Sequence, residues 1–172
     1  MPDTSNASVP AASPPGDCPH YDVIIIGAGM SGMYQLHRLR SLGFTVRVFE
    51  AGGGVGGTWY WNRYPGARFD SESWSYGYSF DPELLQQWEW SEHFAPQPET
   101  LRYLEHVADK LDLRRDISFN CRVRSARFDE GAGVWHIEWA NGGRAQATWL
   151  ITAVGPLSAP TMPTIPGVAD FR

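Results

Sequence analysis

Gly27-Ala28-Gly29-Met30-Ser31-Gly32, with an acid at Glu50 18 residues further on, is the group whose types and spacing point first to chemistry. A glycine loop that opens a helix presents unpaired backbone N–H groups and the positive end of the helix dipole, and so attracts a phosphate. Gly27 permits the tight turn, Gly29 lets backbone approach a pyrophosphate, and Gly32 lets the helix lie close to the strand before it. Ser31 stands in the same loop. A carboxylate at Glu50 can accept hydrogen bonds from both hydroxyls of an adenosine ribose, and it repels a 2′-phosphate. The plainer reading is a glycine turn that merely joins strand to helix. It does not account for strand, glycines, helix and acid all falling in register. The group reads as a dinucleotide site, without separating FAD from NAD, since both offer the same ADP half.

A second group is aromatic. Trp59, Trp61, Trp74, Trp88 and Trp90 fall within 32 residues, together with Tyr60, Tyr64 and Tyr76. Rings of this size are mostly core, and a cluster this dense also suits a flat ring system. Cys18 and Cys121 form no C-x-x-C pair and no metal-ligand spacing, so no metal site is expected. Their scarcity suits a reducing cytoplasm.

Positioning these residues requires a strand over Asp22–Ile26, a helix over about Met30–Leu42 and a second strand over Thr45–Phe49. Met33, Leu36, Leu39 and Leu42 share the inner face of the helix, and Gly43 stops it. Ala51–Gly57 holds five glycines and is a loop. A short helical turn follows at Trp59–Tyr64, then a turn at Pro65-Gly66 and an irregular stretch over Ala67–Phe80. Asp81-Pro82 opens a helix over Glu83–Trp90. Pro98 opens another, with Leu101, Leu104, Val107, Ala108 and Leu111 turned to the sheet. Ile117–Asn120 reads as a third parallel strand. Arg122–Glu130, Val134–Trp139 and Arg144–Thr148 alternate as an antiparallel meander, with Arg122, Arg124 and Arg127 on its wet face. Trp149–Val154 reads as a further strand, buried on both sides and ended by Gly155-Pro156.

The expected fold is therefore α/β and Rossmann-type: a parallel sheet with an inserted antiparallel β-meander, incomplete at its end. Trp149–Val154 and Ile117–Asn120 are expected on opposite sides of the first strand. With 172 residues, 42% hydrophobic and 19% charged, the chain suits one globular domain over 21–172. Residues 1–20, rich in Pro, Ala and Ser and lacking a signal-peptide pattern, read as a flexible extension. A net charge of −5 and no basic run argue against nucleic acid. No segment is apolar enough to span a membrane.

Three further motifs carry a resemblance: Gly56-Gly57-Thr58-Trp59, Tyr64-Pro65-Gly66-Ala67-Arg68-Phe69-Asp70, and Ala153-Val154-Gly155-Pro156-Leu157-Ser158. With the first glycine loop, they resemble a type I Baeyer–Villiger monooxygenase, nearest the phenylacetone, steroid and large-ring ketone group, from about Tyr21 to Arg172. The resemblance implies tightly bound FAD, with NADPH and O₂ as co-substrates. It implies conversion of ketones to esters or lactones through a peroxyflavin, in the cytoplasm. It places Gly27, Gly29, Ser31 and Gly32 at the pyrophosphate and Glu50 at the ribose. Gly57, Thr58, Trp59, Tyr60 and Trp61 would run beside the flavin end, Tyr76 would contact the isoalloxazine, and the Val123 backbone would meet the adenine. Arg68, Phe69 and Asp70 would lie near the NADP nicotinamide. Asp70 would partner an arginine that stabilises developing negative charge. From spacing alone Asp70 reads only as a turn cap beside Ser71 and Ser73.

The resembled family is several times longer. Its second Rossmann domain for NADPH, its arginine and most of its ketone pocket have no counterpart here. Its Phe-x-Gly-x-x-x-His-x-x-x-Trp-Pro fingerprint would begin at Phe171. The expectation is an N-terminal piece, inactive alone and partnered by the rest of the same enzyme. A flavin monooxygenase oxidising amine nitrogen or sulfur, and a non-catalytic flavin-binding fragment, are the competing readings.

Overall fold

The computed structural model describes residues 18–170. The expected flexible extension, apart from its last three residues, lies outside them, as does the fingerprint position Phe171. The elements are β1 (His20–Ile26), α1 (Met30–Ser41), β2 (Val46–Phe49), α2 (Thr58–Trp61), α3 (Ser73–Tyr76), α4 (Pro82–Gln86), α5 (Gln97–Lys110), β3 (Ile117–Ser118), β4 (Val123–Asp129), β5 (Val134–Trp139) and β6 (Arg144–Thr152). They form one six-stranded sheet in the order β3-β2-β1-β6-β5-β4. β1 runs parallel to β2 and β6, and β2 parallel to β3. β4, β5 and β6 pair antiparallel. The Rossmann-type βαβ unit and the opposite placement of β3 and β6 about β1 are thus as the sequence implies.

The antiparallel meander is present and runs directly into the parallel half of the sheet. Arg144–Thr148 and Trp149–Val154, expected as two strands, are the single strand β6, which ends at Thr152. No glycine or proline interrupts Arg144–Thr152, and Gln146 and Ala147 pair with β5 on one side and β1 on the other. β6 therefore joins the antiparallel and parallel halves of the sheet. The stretch Trp149–Val154 is only partly buried: Leu150, Ile151 and Ala153 pack against the cores, whereas Trp149 is 64% and Val154 53% exposed. α1 lies over β1 and β2.

Other boundaries shift for physical reasons. α1 buries Met33 and Leu36, but Leu42 falls beyond its last turn and is exposed. The Asp81 carboxylate caps α4 by accepting from the Glu83 and Leu84 amides. The helix ends at Gln86 rather than Trp90. Trp88 and Trp90 both reach the Tyr103 ring of α5, at centroid distances of 5.3 and 5.1 Å. Residues two apart on a helix face nearly opposite sides, so continuing α4 would separate them. The expected irregular stretch before α4 contains the short helix α3. β3 stops at Ser118, because Asn120 turns to φ +55° and donates its N–H to Gly52 O.

Each sheet face has its own core. Val23, Ile25, Val46 and Val48 meet Met33 and Leu36 of α1 and Leu104, Val107 and Ala108 of α5. Ile24, Phe49, Cys121, Ile137, Trp139, Ala145 and Ala147 fill the other face. No helix among the described residues is long and apolar enough to cross a membrane.

Candidate functional site

The loop between β1 and α1 is held by main-chain bonds. Gly27 turns with φ +103° and donates its N–H to Phe49 O at 2.9 Å. A Cβ on Gly32 would stand 1.9 Å from Gly27 O, so α1 packs on this loop with no room for a side chain. α1 starts after Gly29 with no side-chain cap and no acid in its first turn. Its first amides and dipole suit an anion.

The second glycine loop closes on the first. The Gly56 N–H donates to Ala28 O at 2.9 Å. Gly57 sits at φ +53°, and a Cβ there would lie 2.8 Å from the Gly29 Cα. Two stretches far apart in sequence thus touch backbone to backbone, and Gly57 leaves no room for a side chain.

Glu50 ties the two loops together. It is 4% exposed, and its Oε2 accepts from the Ala28 N–H at 2.7 Å while Oε1 accepts from the Gly52 N–H at 2.6 Å. Its own N–H donates to Ser118 O, and its carbonyl accepts from the Cys121 N–H. From the sequence this residue is expected to be a ribose acceptor; its role as a strut between loops is a tertiary finding. Each carboxylate oxygen keeps a further lone pair for a ligand hydroxyl.

These groups line a cleft of about 760 Å³. Of the residues singled out from sequence, Gly27, Gly29, Ser31, Glu50, Gly57, Thr58, Trp59, Trp61, Tyr76 and Val123 line it. Gly32 lies behind the loop. Tyr60 is outside the lining: its Oη accepts from the Gly53 N–H, and its ring packs where Cβ atoms on Gly52 and Gly54 would be. Arg68 is exposed, donating to Glu92 and to Phe94 O. Phe69 is buried behind Tyr76, and Asp70 is exposed. Neither lines the cleft.

Cys121, Arg122 and the 153–158 stretch also form the wall, except Pro156. The sequence reading places Arg122 on a wet strand face and uses Ala153–Ser158 only as a motif. The missed signal is the glycine after β6, which marks the carboxyl end of a parallel strand beside the first loop. Burial raises the Cys121 thiol above its ordinary value, which disfavours the thiolate.

One end of the cleft is built from side chains. Trp59 donates its indole N–H to Tyr76 Oη at 2.6 Å. Tyr76 stacks on Phe69 with centroids 4.3 Å apart and planes 5° from parallel. Trp59 meets both rings edge-on. The buried Gln97 side chain donates to Trp59 O, fixing α2 to the start of α5. Burial raises the Tyr76 phenol above its ordinary value, against the opposing Trp59 bond, so it is neutral at ordinary pH. Among the described residues no cluster of His, Cys, Asp or Glu suits a metal ion.

Residues 25–84 match the family described as an NAD(P)-binding Rossmann-like domain. An acetone monooxygenase (methyl acetate-forming) of Gordonia sp. (strain TY-5) is 51% identical over 87% of this chain and 28% of its own length. Phenazine N-monooxygenase PhzNO1 of Lysobacter antibioticus is 46% identical over 91% of the chain and 29% of its length. An oxidised steroid monooxygenase bound to NADP superposes with TM-score 0.82 at 56% identity, over 87% of this chain and 29% of that one. OTEMO in complex with FAD and NADP gives TM-score 0.82 at 46% identity, over 91% and 29%. The chain thus spans less than a third of the length of these proteins.

Proposed function

The chain is a homologue of the N-terminal part of the Baeyer–Villiger monooxygenases, and from that premise we propose that it is the FAD-binding portion of an NADPH-dependent, ketone-oxygenating flavoenzyme. The observation that carries this reading is the meeting of both glycine loops and Glu50 in one cleft. The residues fit a dinucleotide: an uncapped helix start for the pyrophosphate, a buried carboxylate for a ribose, and an aromatic end for a flat ring. When bound, FAD supplies hydride acceptance and oxygen activation.

The chain's own residues bind and orient. Gly29, Ser31 and the α1 amides hold the pyrophosphate, Glu50 the ribose, and Val123 and its neighbours the adenine. Gly57, Thr58, Trp59, Trp61 and Tyr76 hold the ring end and exclude water from it. Tyr60 supports the glycine loop from behind. Arg68 and Asp70 form the edge facing the NADP-binding part of the same enzyme, with Phe69 buried between them behind Tyr76. The Asp70 carboxylate there orients a cationic side chain supplied by that part, an electrostatic role. The domain is taken as 21–172 with 1–20 as an extension, the setting as cytoplasmic, and ketone and O₂ as partners of the whole enzyme. The chain alone has no turnover in this reading.

Titration of the purified chain with FAD, NAD⁺ and NADP⁺, followed by visible absorption and thermal unfolding, tests the cofactor. FAD is expected to bind at one site and raise Tm by mass action. Equal or tighter binding of NAD⁺ contradicts the assignment. A second reading, oxidation of ring nitrogen, is favoured by the likeness to a phenazine N-monooxygenase. Assay of the full-length enzyme with simple ketones and with nitrogen heteroaromatics separates the two.

A further inference from the structure

The geometry points to Trp59 as a positioning residue that fixes the direction in which Tyr76 donates its hydroxyl proton into the cleft, a role that rests on the FAD reading of that cleft. An indole N–H is a donor only, whereas a phenol has one proton and lone pairs that accept. At the 2.6 Å contact between Trp59 Nε1 and Tyr76 Oη, tyrosine must therefore be the acceptor. Its own proton cannot serve that contact and must point elsewhere.

The neighbours hold both rings in place. Phe69 covers one face of Tyr76 at 4.3 Å and 5°. Trp59 is 8% exposed, and its carbonyl accepts from the Gln97 side chain. With the ring plane and the acceptor side both set, the remaining hydroxyl direction serves the cleft that Tyr76 lines. The result is a fixed, neutral donor on the wall of the ring end. It suits an acceptor edge of a flat heterocycle, such as a carbonyl or unprotonated ring nitrogen of an isoalloxazine. Thus Trp59 acts on the ligand through Tyr76, and its N–H, more than its bulk, carries the effect.

The test compares the unsubstituted chain with Trp59→Phe, Tyr76→Phe and the double variant. FAD dissociation constants and the position of the bound-flavin absorption band are read for each. Each single variant is expected to bind FAD about three- to ten-fold more weakly, the scale of one neutral hydrogen bond. The double variant is expected to be no weaker than either single one, with the same band shift in all three. If Trp59→Phe weakens binding as much in the Tyr76→Phe background as in the unsubstituted chain, Trp59 acts through packing and the inference fails. It also fails if the Trp59→Phe band stays at the unsubstituted position. Should Trp59→Phe unfold, benzothienylalanine at position 59 replaces the N–H by sulfur at nearly constant shape, with the same outcomes. An unsubstituted chain that does not bind FAD sinks the FAD reading and this role together. The other negative outcomes sink this role alone.

Discussion

The two ends of the cleft are built from different materials. At the glycine end, main chain contacts main chain: Gly27 on Phe49, Gly56 on Ala28, and Gly57 against Gly29, with the Glu50 carboxylate binding two backbone amides. At the ring end, side chain contacts side chain, through Trp59, Tyr76 and Phe69. The first end is rigid because backbone amides have no rotamers to lose. The second end is tunable, because one ring can be replaced while the others stay. The difference suits a ligand whose phosphate half needs only binding and whose ring half undergoes chemistry.

Substitutions can break this contrast, and the largest effect belongs to the glycine end. Gly32→Ala puts a methyl 1.9 Å from a backbone oxygen that cannot rotate away. A loss of about 3 kcal/mol or more is expected in denaturant unfolding. A near-normal transition would show that α1 can move and that the loop is not rigid. Glu50→Ala comes next. It strands the buried Ala28 and Gly52 amides, at about 1–3 kcal/mol each. Glu50→Gln should recover part of the loss, since its amide oxygen still accepts. Equal damage by both would show that one acceptor is not enough and that the two amides need both carboxylate oxygens, since the Gln NH2 donates and cannot accept from the second amide.

Alkaline pH attacks buried tyrosines: Tyr76 at the ring end, and Tyr78 and Tyr103 in the helix-side core next to it. Burial raises the phenols of Tyr76, Tyr78 and Tyr103 above the ordinary value. The unfolded chain therefore loses these protons first. Stability is fully present below about pH 10 and falls as pH rises from there toward the folded values. A Tm that is flat to about pH 9 and then drops is expected, and one unchanged to about pH 12 would contradict the burial of these rings.

Gly29→Ala sharpens the comparison at smaller scale. Gly29 has φ −79°, open to any residue, and its Cβ would lie 3.4 Å from the Gly57 Cα. Stability should change by less than about 1 kcal/mol, because the neighbour need give only slightly. FAD affinity should fall about ten-fold, since even a slight shift of Gly57 moves a loop that lines the cleft beside Gly29. Undiminished FAD binding would move the pyrophosphate elsewhere. The smallest effect is expected at Trp149→Ser. That ring is 64% exposed, so stability should stay within about 0.5 kcal/mol while solubility rises.

What the sequence by itself determined was local or near-local: β1, the glycine turn, α1, Gly43 as its stop, and β2 with Glu50 just after it. The placement of β3 and β6 on either side of β1 also followed, because parallel strands need crossovers and the chain order allows few. Turn and cap chemistry acts over a few residues, and so is written in a few residues. Tertiary structure alone decided that β6 is one strand serving both halves of the sheet, and that Trp149 stands in solvent. It alone pulled Trp88 and Trp90 out of α4 onto Tyr103, and turned Tyr60 onto the loop beside the cleft. It also decided that Glu50 braces two loops and that Gly57 must be small because Gly29 lies against it. Each of these rests on a contact between residues distant in sequence, where the partner's position, and not the residue's own propensity, sets the outcome.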